Sequence, residues 1–322
     1  MLARLYVPRH LLRSLSTCVW EKRIDDFTPI KIQSVNDVFI RQYDWKTDCV
    51  EPKTRVVYPE NGANFTLTDS LELSCSEQES GPINAQIPVK APLFVKCKND
   101  ACVDVIGHEA DVDIQTDKGR CTLKNVKATN TSINSKSGSV QLNSIVSNCT
   151  IMTGGNVTAK KVQGEQLTIS TTAGSVNIGS VYAPDGKIFG KYGDIKIDNI
   201  HGNCKIVSGS GSVTIGSSKD NLDVQCRGGE VTITLQDIDE KVSIQSFGGP
   251  VKLYLSDEVC SKCMLSIQSS AKAEVTDEVK ELVNKNNKAS ALVNLMAYDA
   301  TVFVAKAKSW GESLWDKLDE SK

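Results

Sequence analysis

Eight times between residues 119 and 249 the chain places a glycine ahead of an alternating strand. Lys118-Gly119-Arg120-Cys121-Thr122-Leu123 and Ser137-Gly138-Ser139-Val140-Gln141-Leu142 open the series. Ser210-Gly211-Ser212-Val213-Thr214-Ile215, Gly228-Gly229-Glu230-Val231-Thr232-Ile233 and Gly248-Gly249-Pro250-Val251-Lys252-Leu253 continue it. The glycines stand at 119, 138, 155, 174, 193, 211, 229 and 249, at intervals of 17 to 20 residues. A unit this short cannot bury an apolar face alone, so it must stack on its neighbours to form a continuous core.

A second strand precedes each glycine, for example Val112-Asp113-Ile114, Lys205-Ile206-Val207 and Leu222-Asp223-Val224. The connections carry one apolar residue each, among them Val126, Ile145, Val162, Val181, Ile200 and Ile238. They are too short for crossover helices, so strands of equal phase must stack in parallel. The expected fold is all-β. It is a parallel β-solenoid of about nine 17-20-residue coils over residues 108–276, with Ile, Val, Leu and Cys inside. At ~4.8 Å per coil the stack would be roughly 40 Å long. Glycine at the corner is expected both for backbone freedom and for close approach of adjacent coils.

The flanks read as ends of the same structure. Residues 27–107 form a less regular β-rich region, with strands at Lys31-Ile32-Gln33-Ser34-Val35 and Leu93-Phe94-Val95-Lys96-Cys97. Residues 277–322 read as a cap, in which Ala291-Leu292-Val293-Asn294-Leu295 and Thr301-Val302-Phe303-Val304 are strands. Ser309-Trp310-Gly311-Glu312 matches a capping box, opening a short helix with Trp310, Leu314 and Leu318 on one stripe beside Trp315. That stripe could dock a partner or a membrane. Folding back over the exposed strand edges is the preferred reading.

Composition narrows the function classes. The 322 residues carry a net charge of −2, which argues against a general nucleic-acid binder. No run approaches the ~20 apolar residues of a spanning helix, so a soluble protein is expected. Of the eleven cysteines, Cys149 and Cys204 occupy the phase held by Leu167 and Leu222 in other coils, so they read as reduced core thiols. Cys260-Ser261-Lys262-Cys263 has metal-like spacing but lacks a second pair, and a turn carrying two thiols is the preferred reading.

Residues 1–20 contain Arg4, Arg9 and Arg13, hydroxyls at Ser14, Ser16 and Thr17, and no acid before Glu21. Leu11 and Leu15 would share one helical face, Arg9 and Arg13 another. This is the pattern of a mitochondrial transit peptide, so a mitochondrial location, in the matrix, is expected, with a cytoplasmic one as the alternative. The triplets at Asn64, Asn130, Asn148 and Asn156 then read as chance products of an Asn-, Ser- and Thr-rich chain.

Little in the sequence points to catalysis. Beyond the presumed presequence the histidines are His108 and His201, the latter in a polar connection. Ser208-Gly209-Ser210-Gly211-Ser212 resembles a phosphate loop but falls in register with the other corners. Asp194 and Glu230 share one phase, two coils and so roughly 10 Å apart, near the upper limit for an inverting carboxylate pair. A polar preference at the corner explains them equally well. No catalytic, cofactor-binding or metal-binding residue is assigned.

The Gly-Ser-Val-x-Leu/Ile and Gly-Gly-x-Val-x-Ile phrases, with the Val/Leu-x-Ile strands between them, resemble the putative-adhesin β-repeat family. The order of regions and the Ser309-Trp310 and Leu314 ending also resemble the animal proteins called family with sequence similarity 185. The resemblance covers most of residues 28 to 318 and implies a β-solenoid without an established activity. The expectation is a non-enzymatic binding or scaffold protein with a protein partner. The alternative is a β-helix polysaccharide hydrolase or lyase using stacked carboxylates.

Overall fold

Period-two alternation in sequence becomes period-two burial in the computed structural model, which describes residues 17–42, 54–59, 63–67, 70–75, 81–284 and 289–307. These residues form twenty-five strands and two short helices, α1 (Asp257–Lys262) and α2 (Asp277–Asn284). The strands stack in two columns, one on either side of the glycine corner. Ile114, Ile133, Ile151, Ile169, Ile188, Ile206, Val224, Ile244 and Leu295 face one another in turn along the first column. Each is at most 1% exposed. Burial of each such side chain contributes about 1.5–3 kcal/mol, so the columns are the dominant stabilising element.

The corner glycines form a column of their own, and close approach is the reason. A Cβ on Gly138 would lie 2.0 Å from the carbonyl oxygen of Gly119, and one on Gly211 2.2 Å from that of Gly193. Backbone freedom, expected as a second reason, is not used. The positive-φ glycines among the described residues are Gly81, Gly107 and Gly202, and none is a corner glycine of the series.

Directly inside that column runs a ladder of small polar side chains. Thr171, Ser208 and Ser246 donate their hydroxyls to the carbonyls of Gly174, Gly211 and Gly249 at 2.9, 2.6 and 2.6 Å. Thr153 donates to Gly138 at 2.7 Å, and the Cys226 thiol reaches Gly229 at 3.2 Å. The corner carbonyls point into the core and would otherwise lack a donor, which is costly when buried. A Ser, Thr or Cys three residues before the glycine is the sequence sign of this device.

Both ends of the stack depart from chain order. The strand Ile30–Ser34 lies between Leu71–Cys75 and Leu93–Cys97. At the other end Ala291–Ala297 lies between Lys241–Ser246 and Cys263–Ser269. The second column repeats this, with Val38–Gln42 between Ile83–Ile87 and Val103–His108, and Val302–Lys306 between Val251–Leu255 and Ala273–Val275. At each end, therefore, the coil nearest the chain terminus is clamped beneath one further coil, which opposes fraying of the terminal strands. Antiparallel strands shield the first end: Ala63–Leu67 pairs with Leu71–Cys75, and Thr17–Lys22 pairs with Thr54–Pro59, which pairs with Ile83–Ile87. The Ser309–Leu318 helix expected at the other end lies outside the described residues.

Candidate binding cleft

The carboxylates singled out in the sequence serve the stack. Asp194 accepts hydrogen bonds from the Ser212 backbone N–H and hydroxyl, both at 2.8 Å, so it ties one coil to the next. Glu230 pairs with Lys252 at 2.7 Å and accepts from the Thr232 hydroxyl. The Lys252 hydrogen bond holds the Glu230 carboxyl below the usual range. A general acid needs its proton retained, the opposite shift. The register keeps the two residues two coils apart, with Ser212 between them.

The two histidines part company. His108 is buried, with Nε2 2.9 Å from the Ala91 carbonyl oxygen, and burial lowers its pKa below 6.5. The unfolded chain binds a proton as pH falls through the ordinary value while the folded chain does not, so acid weakens the fold. Unfolding in urea should show a lower midpoint at pH 5.5 than at pH 7.5, and His108→Gln should flatten that dependence. An unchanged dependence in the variant would remove His108 as its source.

His201 stands at the surface, and its ring stacks on Tyr182 with centroids 4.5 Å apart and planes 3° from parallel. Lys161 Nζ lies 4.9 Å from the Tyr182 ring centroid. This stack borders a cleft of about 500 Å³ lined by Gln163, Glu165, Pro184, Gly202, Asp220 and Asp239, among others. Corner length creates the recess. Between Tyr182 and Asp185 lie two residues, but between their partners His201 and Asn203 lies Gly202 alone. Ser218 faces Leu235 and Leu222 faces Val242, so residues 219–221 stand opposite the longer 236–241. Two short corners thus lie between two longer ones that project.

Two residues of the recess have a left-handed backbone. Gly202 has φ +113°, and a Cβ there would meet the Ala183 carbonyl oxygen at 2.1 Å. Asp220 has φ +75° and accepts the Gly202 N–H at 2.7 Å. A non-glycine residue in this region carries strain of order 1–3 kcal/mol. Glu165, Asp220 and Asp239 make no ion pair among the described residues, so the recess is anionic. A second cleft of about 530 Å³ adjoins it, sharing Asn203 and lined by Asp185, Gly186, Lys205, Asp223 and Glu240. There Lys205 and Asp223 pair at 3.1 Å.

The recess is countable in the sequence. From the second inward residue of the strand after each corner glycine to the central one of the next strand, Ile178 to Ile188 is ten residues, Ile197 to Ile206 nine, Ile215 to Val224 nine, and Ile233 to Ile244 eleven. A pair of short corners between longer ones marks the cleft. The regularity of the glycine phrase, on the other side of the coil, hides it.

The thiols singled out in the sequence lie in the core. Cys149 and Cys204 are inward, as expected, and burial pushes both up to about 12. The Cys260–Cys263 segment corrects the turn reading. It is α1 with its C-cap, started by Ser256, whose hydroxyl accepts the Val259 N–H at 3.2 Å. Both sulfurs are buried, and burial pushes Cys260 up to about 11. Among the described residues no group of three His, Cys, Asp or Glu could hold a metal ion, and no helix is long and apolar enough to cross a membrane.

The Toastrack DUF4097 family model matches residues 150–297, which places the coils around the cleft inside the matched region. No curated protein sequence matches the chain. The fold is similar to a putative adhesin from Parabacteroides distasonis, with 13% identity, TM-score 0.41, and 74% of this chain and 98% of that one covered. It is also similar to a putative adhesin from Parabacteroides merdae, with 16% identity, TM-score 0.37, and 90% and 96% covered. A third putative adhesin, from Bacteroides fragilis, has 9% identity, TM-score 0.29, and 91% and 98% covered.

The mitochondrial address expected from residues 1–20 is corrected: the solved structures this chain is similar to are bacterial proteins. The sheet supplies a physical reason. Thr17–Lys22, which begins inside the presumed presequence, is paired along all six positions with Thr54–Pro59.

Proposed function

We propose that this chain is a non-enzymatic binding or scaffold protein. It is built as a parallel β-solenoid of about nine 17-20-residue coils across residues 108–276, with the 27–107 lead-in and the 277–322 closing region at its ends. The observation that carries the reading is the recess beside Tyr182 and His201, where two short corners lie between two longer ones. Its three carboxylates favour a protein partner that presents a basic segment, because an anionic recess draws in and orients cationic groups. The likeness to the animal family with sequence similarity 185 belongs to the same reading and rests on the order of regions together with the Ser309-Trp310 and Leu314 ending.

The alternative, a β-helix hydrolase or lyase, has less support, because Asp194 and Glu230 are engaged by Ser212 and Lys252. Asp194→Asn combined with Glu230→Gln should leave any polysaccharide cleavage unchanged, and a loss of cleavage would restore the enzymatic reading. Tyr182→Ala combined with His201→Ala should reduce cross-linked partner recovery at least tenfold while circular dichroism stays the same. Recovery unchanged by that pair would move the working surface elsewhere.

A further inference from the structure

The recess lies where the first-column strands begin. Where they end, beside the glycine corner, three successive coils enclose a separate cleft of about 310 Å³. Lys96, Gln115 and Asn134 are neighbouring rungs of one outward row along it. From Gln33 to Gln268 every other described residue of that row is uncharged. Two residues further on, the same three coils carry Lys98, Asp117 and Lys136. Lys136 pairs with one Asp117 oxygen at 2.7 Å, and the other accepts the Asn99 N–H at 3.2 Å. Lys96 and Lys98 make no ion pair among the described residues. Three ammonium groups against one carboxylate leave the cleft with a net charge of +2.

The buried side of the cleft carries a second, independent sign. Thr116 lines it and is 4% exposed, yet its Oγ1 has no hydrogen-bond partner among the described residues. The next rung of the hydroxyl ladder, Ser135, accepts the Gly138 N–H at 2.9 Å and donates to the Gly138 carbonyl at 3.4 Å. Thr116, three residues before Gly119, makes no such bond. A buried hydroxyl left unpaired is costly, and a ligand oxygen in the cleft would pair it. Beside it, burial pushes the Cys97 thiol up to about 12, so Cys97 keeps its proton and adds no negative charge.

We propose that this cleft binds a phosphate group, free or as a small monoester, held by Lys96 and Lys98 and by a hydrogen bond from the Thr116 hydroxyl. Every lining side chain except Asp117 offers a donor, and both Asp117 oxygens are engaged. A phosphate monoester brings up to two negative charges and three acceptor oxygens, which matches the charge and the donors on offer. The volume is at the lower end for a small-molecule site, so a group of about hexose size is the upper limit.

The test titrates the ¹⁵N-labelled full chain at constant ionic strength with sodium phosphate, a hexose monophosphate or sodium chloride. Saturable amide shifts centred on residues 96–98, 115–117 and 134–136 are expected with the phosphates and not with chloride. Tighter binding of the hexose monophosphate would name the ester as the ligand, and equal affinity would name the free ion. Lys96→Gln combined with Lys98→Gln should weaken binding at least tenfold without moving the urea midpoint. Lys191→Gln, at another corner, should leave it unchanged. Thr116→Val should weaken binding about threefold and not lower the urea midpoint, because no hydrogen bond of the fold is lost. No saturation, shifts that chloride reproduces, or full affinity in the double lysine variant would each overturn the site. Full affinity in Thr116→Val would overturn the role given to its hydroxyl.

Discussion

Gly229→Ala and Gly228→Ala, one residue apart, should shift stability in opposite directions. At Gly229 a Cβ would lie 2.3 Å from the carbonyl oxygen of Gly211, 2.4 Å from its carbon and 2.5 Å from the Ser212 nitrogen. All three are backbone atoms of the coil below, and that coil is held in turn by Gly193 beneath it. No rotamer change relieves the clash, so two coils must separate locally. Overpacking of this kind costs about 3 kcal/mol or more. At Gly228 the nearest atoms are 3.5 and 3.6 Å away, an ordinary contact, and φ is not positive. There alanine only narrows the unfolded ensemble and should stabilise by about 0.4–1 kcal/mol. Urea denaturation midpoints of the two variants, measured side by side, decide the matter. Equal midpoints would mean that the corner column is looser than its geometry implies.

The same contrast shows what was legible in the sequence. The columns were, because Val112, Ile114 and their equivalents repeat an inward-outward alternation that has only one self-consistent stacking. The hydroxyl ladder was present as Thr171, Ser208 and Ser246 three residues before a glycine, but serine and threonine outside the core are equally common, so the spacing alone does not announce burial. The inverted order of the end coils was not legible. Ala291–Ala297 has the alternation of any other strand, and nothing local in it specifies Lys241–Ser246 rather than Cys263–Ser269 as its inner neighbour. That choice is made by the length of the excursion through α1 and α2. The cleft lay between these cases, since corner lengths can be counted but acquire meaning only once the coils are in register.

Position along the stack should govern what a core deletion costs. Ile206 lies between Ile188 and Val224, fully buried, with a coil on either side. Ile206→Ala removes transfer free energy and leaves a cavity that two sets of fixed strands cannot collapse, at a cost of about 3–4 kcal/mol. Ile267 contacts a single inner neighbour, Leu295, and is only partly buried. Ile267→Ala should cost about 1 kcal/mol, because a partly buried side chain returns little apolar area to water and the end can relax. Urea denaturation midpoints of the two variants against the parent chain read the difference. Equal costs at the two positions would mean that the last coil is held as rigidly as the central ones, and that position along the stack does not govern the cost.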